Sequence, residues 1–240
     1  MFAIKKFAAA AVAGVFALGA WSLSGGAASA AVLVPGGSST SLTGTYSVAG
    51  ETYVTSQTKT YNGVSHDMVF DFSLTTTVYN NPNTGGDDFL YQLTNTGPND
   101  SKSDSFDRLT LSSFLGYSVD ADYQSNTGMV QTLSPNPSDN SNIVAGDVAP
   151  DEVDRSTNGA VVGYTFPAGS PVAPQEVTDI LIVRTDSSTY HMGSATVIDS
   201  TNGSVVTEVP FGSTTVPEPG SLAMIAISLG MLARRRRSWS

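Results

Sequence analysis

Carboxylates are the side chains that this sequence of 240 residues holds in numbers large enough to do chemistry. Asp and Glu total 21 against 11 Lys and Arg, the only histidines are His66 and His191, and there is no cysteine. Without thiols, disulfide frameworks, iron–sulfur ligation, cysteine nucleophiles and thiolate zinc sites are excluded. A glycosidase needs two acids facing each other across ~5 to 9 Å. So acidic a chain could supply many such pairs, and composition selects none of them. Asp147, Asp151, Glu152 and Asp154 stand at spacings a calcium ion could use, as do Asp100, Asp104 and Asp107. Neither set follows the EF-hand order. The expectation is therefore a solvated acidic loop and no cofactor, with calcium as the one metal kept open. His66-Asp67 offers half of a Ser-His-Asp relay, but neighbours on a strand point to opposite faces and do not pair. The nucleophile elbow, His-Glu-x-x-His, the phosphate loop and the dinucleotide fingerprint are all missing from the sequence. The expectation is a body without catalysis. Sugar binding loses its usual stacking platform as well, because Trp21 and Trp239 lie at the far ends.

Charge divides the chain into a body and two termini. Lys5, Lys6 and Arg234 to Arg237 are six of the basic residues, while residues 31–217 hold five basic against twenty acidic ones, a net charge of -15. A surface of that sign repels polyanions, so nucleic acid is not an expected partner.

Those termini read as addresses. Lys5 and Lys6 precede an apolar run from Phe7 to Trp21, and Ala28-Ser29-Ala30 supplies small residues at a cleavage site, the pattern of a secretory signal peptide over residues 1–30. Cleavage by signal peptidase is expected before Ala31. At the other end, Pro217-Glu218-Pro219 precedes an apolar run from Ser221 to Ala233 and the cluster Arg234, Arg235, Arg236 and Arg237. Thirteen helical residues span roughly 20 Å, short of the ~30 Å hydrocarbon core. Such a segment holds a chain at the membrane for a time, with its arginines on the cytoplasmic side.

On these residues the chain resembles the PEP-CTERM proteins of Gram-negative bacteria. Pro217, Glu218 and Pro219 match the signature of that family, and Arg234 to Arg237 match its basic terminus. The resemblance implies a sorting tail over residues 216–240 that is read and cut near the motif by a membrane-embedded exosortase. It also implies association with exopolysaccharide and biofilm-type matrices.

Between the termini, residues 31–215 read as one ectodomain. Segments of period two recur, separated by Gly, Pro, Asn, Asp and Ser clusters. The clearest runs from His66 to Tyr79, with Met68, Phe70, Phe72 and Leu74 on one face. A second runs from Asp87 to Asn95, with Phe89, Tyr91 and Leu93 on one face, and the Asn80–Gly86 stretch predicts a long hairpin connection. Asp87 and Asp88 read as no more than a strand start. Further strands are expected near residues 45–48, 51–61, 106–111, 116–119, 129–133, 160–166, 178–184, 194–198 and 204–209. Ile180 to Val183 is continuously apolar and predicts a central strand covered on both faces. Residues 136–154 read as a loop. The fold expected is all-β, an antiparallel β-sandwich of about ten strands flanked by a signal helix and a short C-terminal hydrophobic helix. The segments Phe89–Gly97, Val162–Phe166 and Asp179–Asp186, with the stretch to Asp199, are similar to ectodomains that precede PEP-CTERM tails. The function expected is an exported, exosortase-processed protein of the surface or matrix. The alternatives are a secreted carbohydrate-active or carbohydrate-binding protein that uses Asp/Glu pairs, and a lasting single-pass membrane protein.

Overall fold

The computed structural model of the chain describes residues 31–46, 48, 50–125, 148–199 and 204–212. The signal and sorting segments, their two expected helices and the strand expected at 129–133 lie outside the described residues. Fourteen strands form among those described: β1 (Ala31–Val32), β2 (Ser38–Ser39), β3 (Thr52–Tyr61), β4 (Val64–Ser65), β5 (Met68–Val69), β6 (Phe72–Asn81), β7 (Gly86–Asn95), β8 (Phe106–Ser112), β9 (Val119–Gln124), β10 (Glu152–Arg155), β11 (Val161–Thr165), β12 (Ile180–Thr185), β13 (Tyr190–Asp199) and β14 (Ser204–Gly212). The count exceeds the ten expected chiefly because β1, β2, β4 and β5 have two residues each, too short to show a period.

All strand pairs are antiparallel. One six-stranded sheet runs β1-β9-β12-β7-β6-β3, and a second runs β14-β13-β8-β11-β10-β2. Alternation decides which side chains meet between them. Phe72, Leu74 and Val78 of β6, Phe89, Tyr91 and Leu93 of β7, and Leu181 and Val183 of β12 share one core with Leu109 and Leu111 of β8, Val162 and Tyr164 of β11, and Val197 of β13. At one end Phe70, Phe72 and Phe106 form an aromatic knot, with Phe70 and Phe106 at 4.9 Å and Phe72 edge-on to Phe106 at 6.0 Å. Such ring pairs add about 0.5 to 1.5 kcal/mol each beyond the burial of their area.

The Tyr164 hydroxyl crosses between the sheets and donates to the Ile182 carbonyl at 2.6 Å. Tyr164→Phe keeps the ring and removes this bond together with the hydroxyl's longer contact to the Asp122 carbonyl at 3.3 Å. It should cost about 1 kcal/mol in urea unfolding, and an unchanged midpoint would show that the hydroxyl contributes nothing net.

The first sheet is covered on its outer face too. Ile180 and Ile182 of β12, Leu90 of β7 and Tyr79 of β6 pack beneath Tyr46, Val48 and Tyr53. This fulfils the expectation for β12, whose Ile180 to Val183 are all fully buried. Of the strand expected at 45–48, Thr45 makes only an isolated bridge to Gln124, and Tyr46 and Val48 lie over this face as a strap without strand pairing.

Three other expectations are corrected. His66 and Asp67, at φ 48° and 64°, form the two-residue turn between β4 and β5 and are not on a strand. The twist of a tight hairpin requires this left-handed conformation. The β6–β7 connection is shorter than expected, since pairing continues to Asn81 opposite Gly86 and leaves only residues 82–85, with Gly85 at φ +74°. Residues 152–154, expected at the end of a loop, belong with Arg155 to β10, where Val153 and Arg155 are buried and Glu152 and Asp154 are partly exposed.

Candidate functional site

The sequence-predicted site residues divide between two places. Ala28, Ala30, Pro217, Glu218, Pro219, Arg234, Arg235, Arg236, Arg237 and Asp147 lie outside the described residues. Asp151, Glu152 and Asp154 are within them, on and just before β10. There Asp154 is taken by a cation of the protein itself. Arg108 reaches from β8 across β11 to Asp154 at 2.6 Å, and its other nitrogen donates to Thr165 Oγ1 at 2.6 Å. Gly163 makes the crossing passable, since a Cβ there would stand 1.9 Å from the guanidinium. The second acidic set is locally bonded as well: Asp100 accepts from the Lys102 amide and the Ser103 hydroxyl, and Asp104 from the Ser105 amide. Among the described residues no group of three His, Asp or Glu is placed to hold a metal ion. His66 Nδ1 lies 3.1 Å from Ser65 Oγ in its turn, and His191 is exposed on β13.

A cluster that sequence reasoning missed lies on the outer face of the first sheet. Register builds it: Arg184 of β12 stands opposite Asp88 of β7 on one side and Asp120 of β9 on the other. Arg184 Nε donates to Asp88 Oδ2 at 3.2 Å, and the guanidinium lies 4.8 Å from the centre of the Tyr46 ring. The strap brings Tyr46 and Glu51 down onto the pair. The Tyr46 hydroxyl bonds both Glu51, at 2.9 Å, and Asp88, while the Asn81 amide donates to Glu51 at 3.0 Å and to Asp88 at 3.1 Å.

Two carboxyls thus share one tyrosine, one amide and one arginine. Burial, and then the charge of Asp88, push the Glu51 carboxyl up to about 8. At neutral pH the Glu51 carboxyl therefore keeps its proton, and Asp88 and Arg184 form the balanced ion pair. Burial and the Asp88 charge also hold the Tyr46 phenol protonated, and its hydroxyl stays a donor. Asp88 is fully buried and the Glu51 side chain is 3% exposed.

A cleft of about 110 Å³ opens next to the cluster, lined by Thr84, Ser118, Asp120, Arg184, Thr185 and Asp186. Arg184 and the Asp120 opposite it belong to both. A molecule in the cleft would meet one guanidinium, two carboxylates and three hydroxyls, with the Glu51–Asp88 pair behind the arginine. What the closed cluster does chemically is hold a proton and pin the strap to three strands.

One signal in the sequence could have found it. Asp88 directly precedes a run whose two faces are both largely apolar, and Arg184 directly follows Ile180–Val183. A charge that adjoins a doubly covered strand is buried with it and must meet its opposite. The reading of Asp88 as a mere strand start overlooked this.

Residues 215–237 match the PEP-CTERM protein-sorting motif. The chain carries that motif, as the resemblance implied, and is an exported protein targeted to exosortase. No curated protein and no solved structure matches the chain. Among the described residues no helix is long and apolar enough to cross a membrane.

Proposed function

We propose that the chain is a non-catalytic protein of the cell surface or extracellular matrix, a β-sandwich trimmed at both ends and associated with exopolysaccharide. The sorting motif at 215–237 is the observation that carries this reading. In it, signal peptidase cuts before Ala31 and the apolar run from Ser221 to Ala233 enters the inner membrane with Arg234 to Arg237 on the cytoplasmic side. Exosortase then cuts near Pro217-Glu218-Pro219 and frees the body. Two features of the described residues support a structural role for the body. The Glu51–Asp88 carboxyl pair is closed off by the protein's own tyrosine, amide and arginine, and the β10 acids are engaged or on strand.

Mass spectrometry of the protein from the producing cell tests both cuts together. The expected mature chain begins at Ala31, ends near the motif, lacks the arginine cluster and stays with washed exopolysaccharide. A chain recovered with Met1 and Arg237 both in place would overturn the reading. Turnover of a glycan by the mature protein, lost on a single Asp or Glu substitution, would replace it with the carbohydrate-active alternative.

A further inference from the structure

The chain leaves the described body at one particular place. β13 pairs with β8 only from Ala195 onward, whereas its pairing with β14 runs back to Tyr190 opposite Gly212. Residues 190–193 and 209–212 therefore form a two-stranded ribbon that overhangs the end of the second sheet by roughly 13 Å at ~3.4 Å per residue. Its tip, Gly212, is where the chain sets off toward the sorting segment.

Exposed apolar side chains gather at this end. Tyr190 and Met192, on the same face of the ribbon, are 39% and 43% exposed. The turn that follows β8 at the same end exposes Leu115, and Val34 is exposed just beyond Leu33, whose amide bonds Val119 at the start of β9. Arg155 ties these segments together through the Leu33, Phe114 and Tyr117 carbonyls. The overhanging residues include no Asp or Glu, in a body that carries a net charge of -15.

The length of the outgoing chain decides what this end faces. From Gly212 to Ser221, where the apolar run begins, nine residue steps reach at most about 30 Å. A body of this size is roughly 40 Å across, so the tether is shorter than the body is wide. With the tail in the membrane, the ribbon end cannot turn away from the bilayer. Tyrosine at such a boundary places its ring among the acyl chains and its hydroxyl among the headgroups, and the absence of acids spares the ribbon the repulsion that anionic headgroups exert on the rest of the body.

From this geometry we infer that the β13–β14 ribbon end, through Tyr190 and Met192, is a docking surface for the lipid bilayer that seats the folded body while the tail is uncut. The docking rests on the membrane insertion of the tail proposed above. After the cut, the same surface loses its tether and releases.

The cysteine-free sequence allows a direct test on the full chain. A single environment-sensitive fluorophore is placed by Met192→Cys, with Tyr190→Cys as a second reporter and Val64→Cys as the control, since Val64 is 68% exposed in the β4–β5 hairpin at the opposite end. Each uncut chain is reconstituted into vesicles of phosphatidylcholine with brominated acyl chains. Labels at 192 and 190 are expected to shift to the blue and lose most of their emission to the bromines, while the label at 64 behaves as in buffer. If all three labels stay in water on a chain that floats with the vesicles, the docking is overturned and the insertion stands. Equal quenching at all three overturns it too, because the body would then lie on lipid without a preferred end. A chain that does not float removes both insertion and docking.

Discussion

Arg155→Met is expected to cost the body about 3 to 5 kcal/mol, because several buried carbonyls lose bonds to a charged donor that contribute about 1.5 to 3 kcal/mol each. The guanidinium is 5% exposed and sends Nε to the Gly159 carbonyl at 3.0 Å, Nη1 to Leu33 at 2.9 Å, and Nη2 to Phe114 at 2.9 Å and Tyr117 at 2.8 Å. These four carbonyls belong to three separate segments: the chain after β1, the β8–β9 turn and the β10–β11 turn. Methionine fills much of the volume but donates nothing, so all four acceptors lose a charge-assisted bond at once. Arg155→Lys should recover only part of the loss, because an ammonium lacks the planar fork that reaches four oxygens. Urea unfolding of residues 31–216 by tyrosine fluorescence measures both, as the tryptophans lie outside that span. A loss under about 1 kcal/mol for the methionine variant would mean that water replaces the guanidinium freely.

Arg184→Met should be nearly as damaging, at about 3 kcal/mol, because it leaves Asp88 and Asp120 facing each other's charge without the cation between them. Glu51→Gln at pH 7 should cost less than about 1 kcal/mol, although Glu51 sits in the same cluster. The carboxyl already holds its proton there, and an amide keeps the oxygen that accepts from Tyr46 and Asn81. The two variants separate sharply in pH dependence. Glu51 moves from an ordinary value of 4.5 to about 8 in the folded protein. Between those values the unfolded chain has released a proton that the folded chain retains, so Glu51 makes stability fall as pH rises through this window. The slope from one such proton is at most about 1.4 kcal/mol per pH unit, and it vanishes above the folded value. Asp87, Asp107 and Asp120 are also raised by burial and add slopes of the same sign. Glu51→Gln removes only its own share, so its melting temperature should decline less between pH 5 and 8 than that of the parent. Parallel curves would show that Glu51 titrates as an exposed carboxyl.

How far the sequence revealed this body depended on strand length and on whether a face alternated. β3, β6, β7, β8 and β11 were visible as strands from a period of two over five or more residues, and β12 from the continuously apolar run Ile180 to Val183. β10 was not, since Glu152-Val153-Asp154-Arg155 alternates between two acids and a pair of which one is the buried arginine, a pattern that resembles a polar loop. His66 and Asp67 were assigned to a strand because apolar alternation resumes at Met68, and only the backbone shows that the chain turns there first. The missed cluster failed for a related reason. Tyr46, Glu51, Asn81, Asp88 and Arg184 are 138 positions apart at their extremes, and no local spacing links them.

The sorting motif at residues 215–237 was the part that sequence determined by itself. A sorting signal is read as a linear peptide, so its information lies in the order of Pro-Glu-Pro, apolar run and arginines, and a fold adds nothing to it. The body is the reverse case. Which of its twenty acids would be neutral, which would pair with Arg108 or Arg184, and which end would carry the outgoing chain follow from antiparallel register and from what covers each face. Those are contacts between distant segments, where burial strengthens or neutralises charge, and only the tertiary structure sets them.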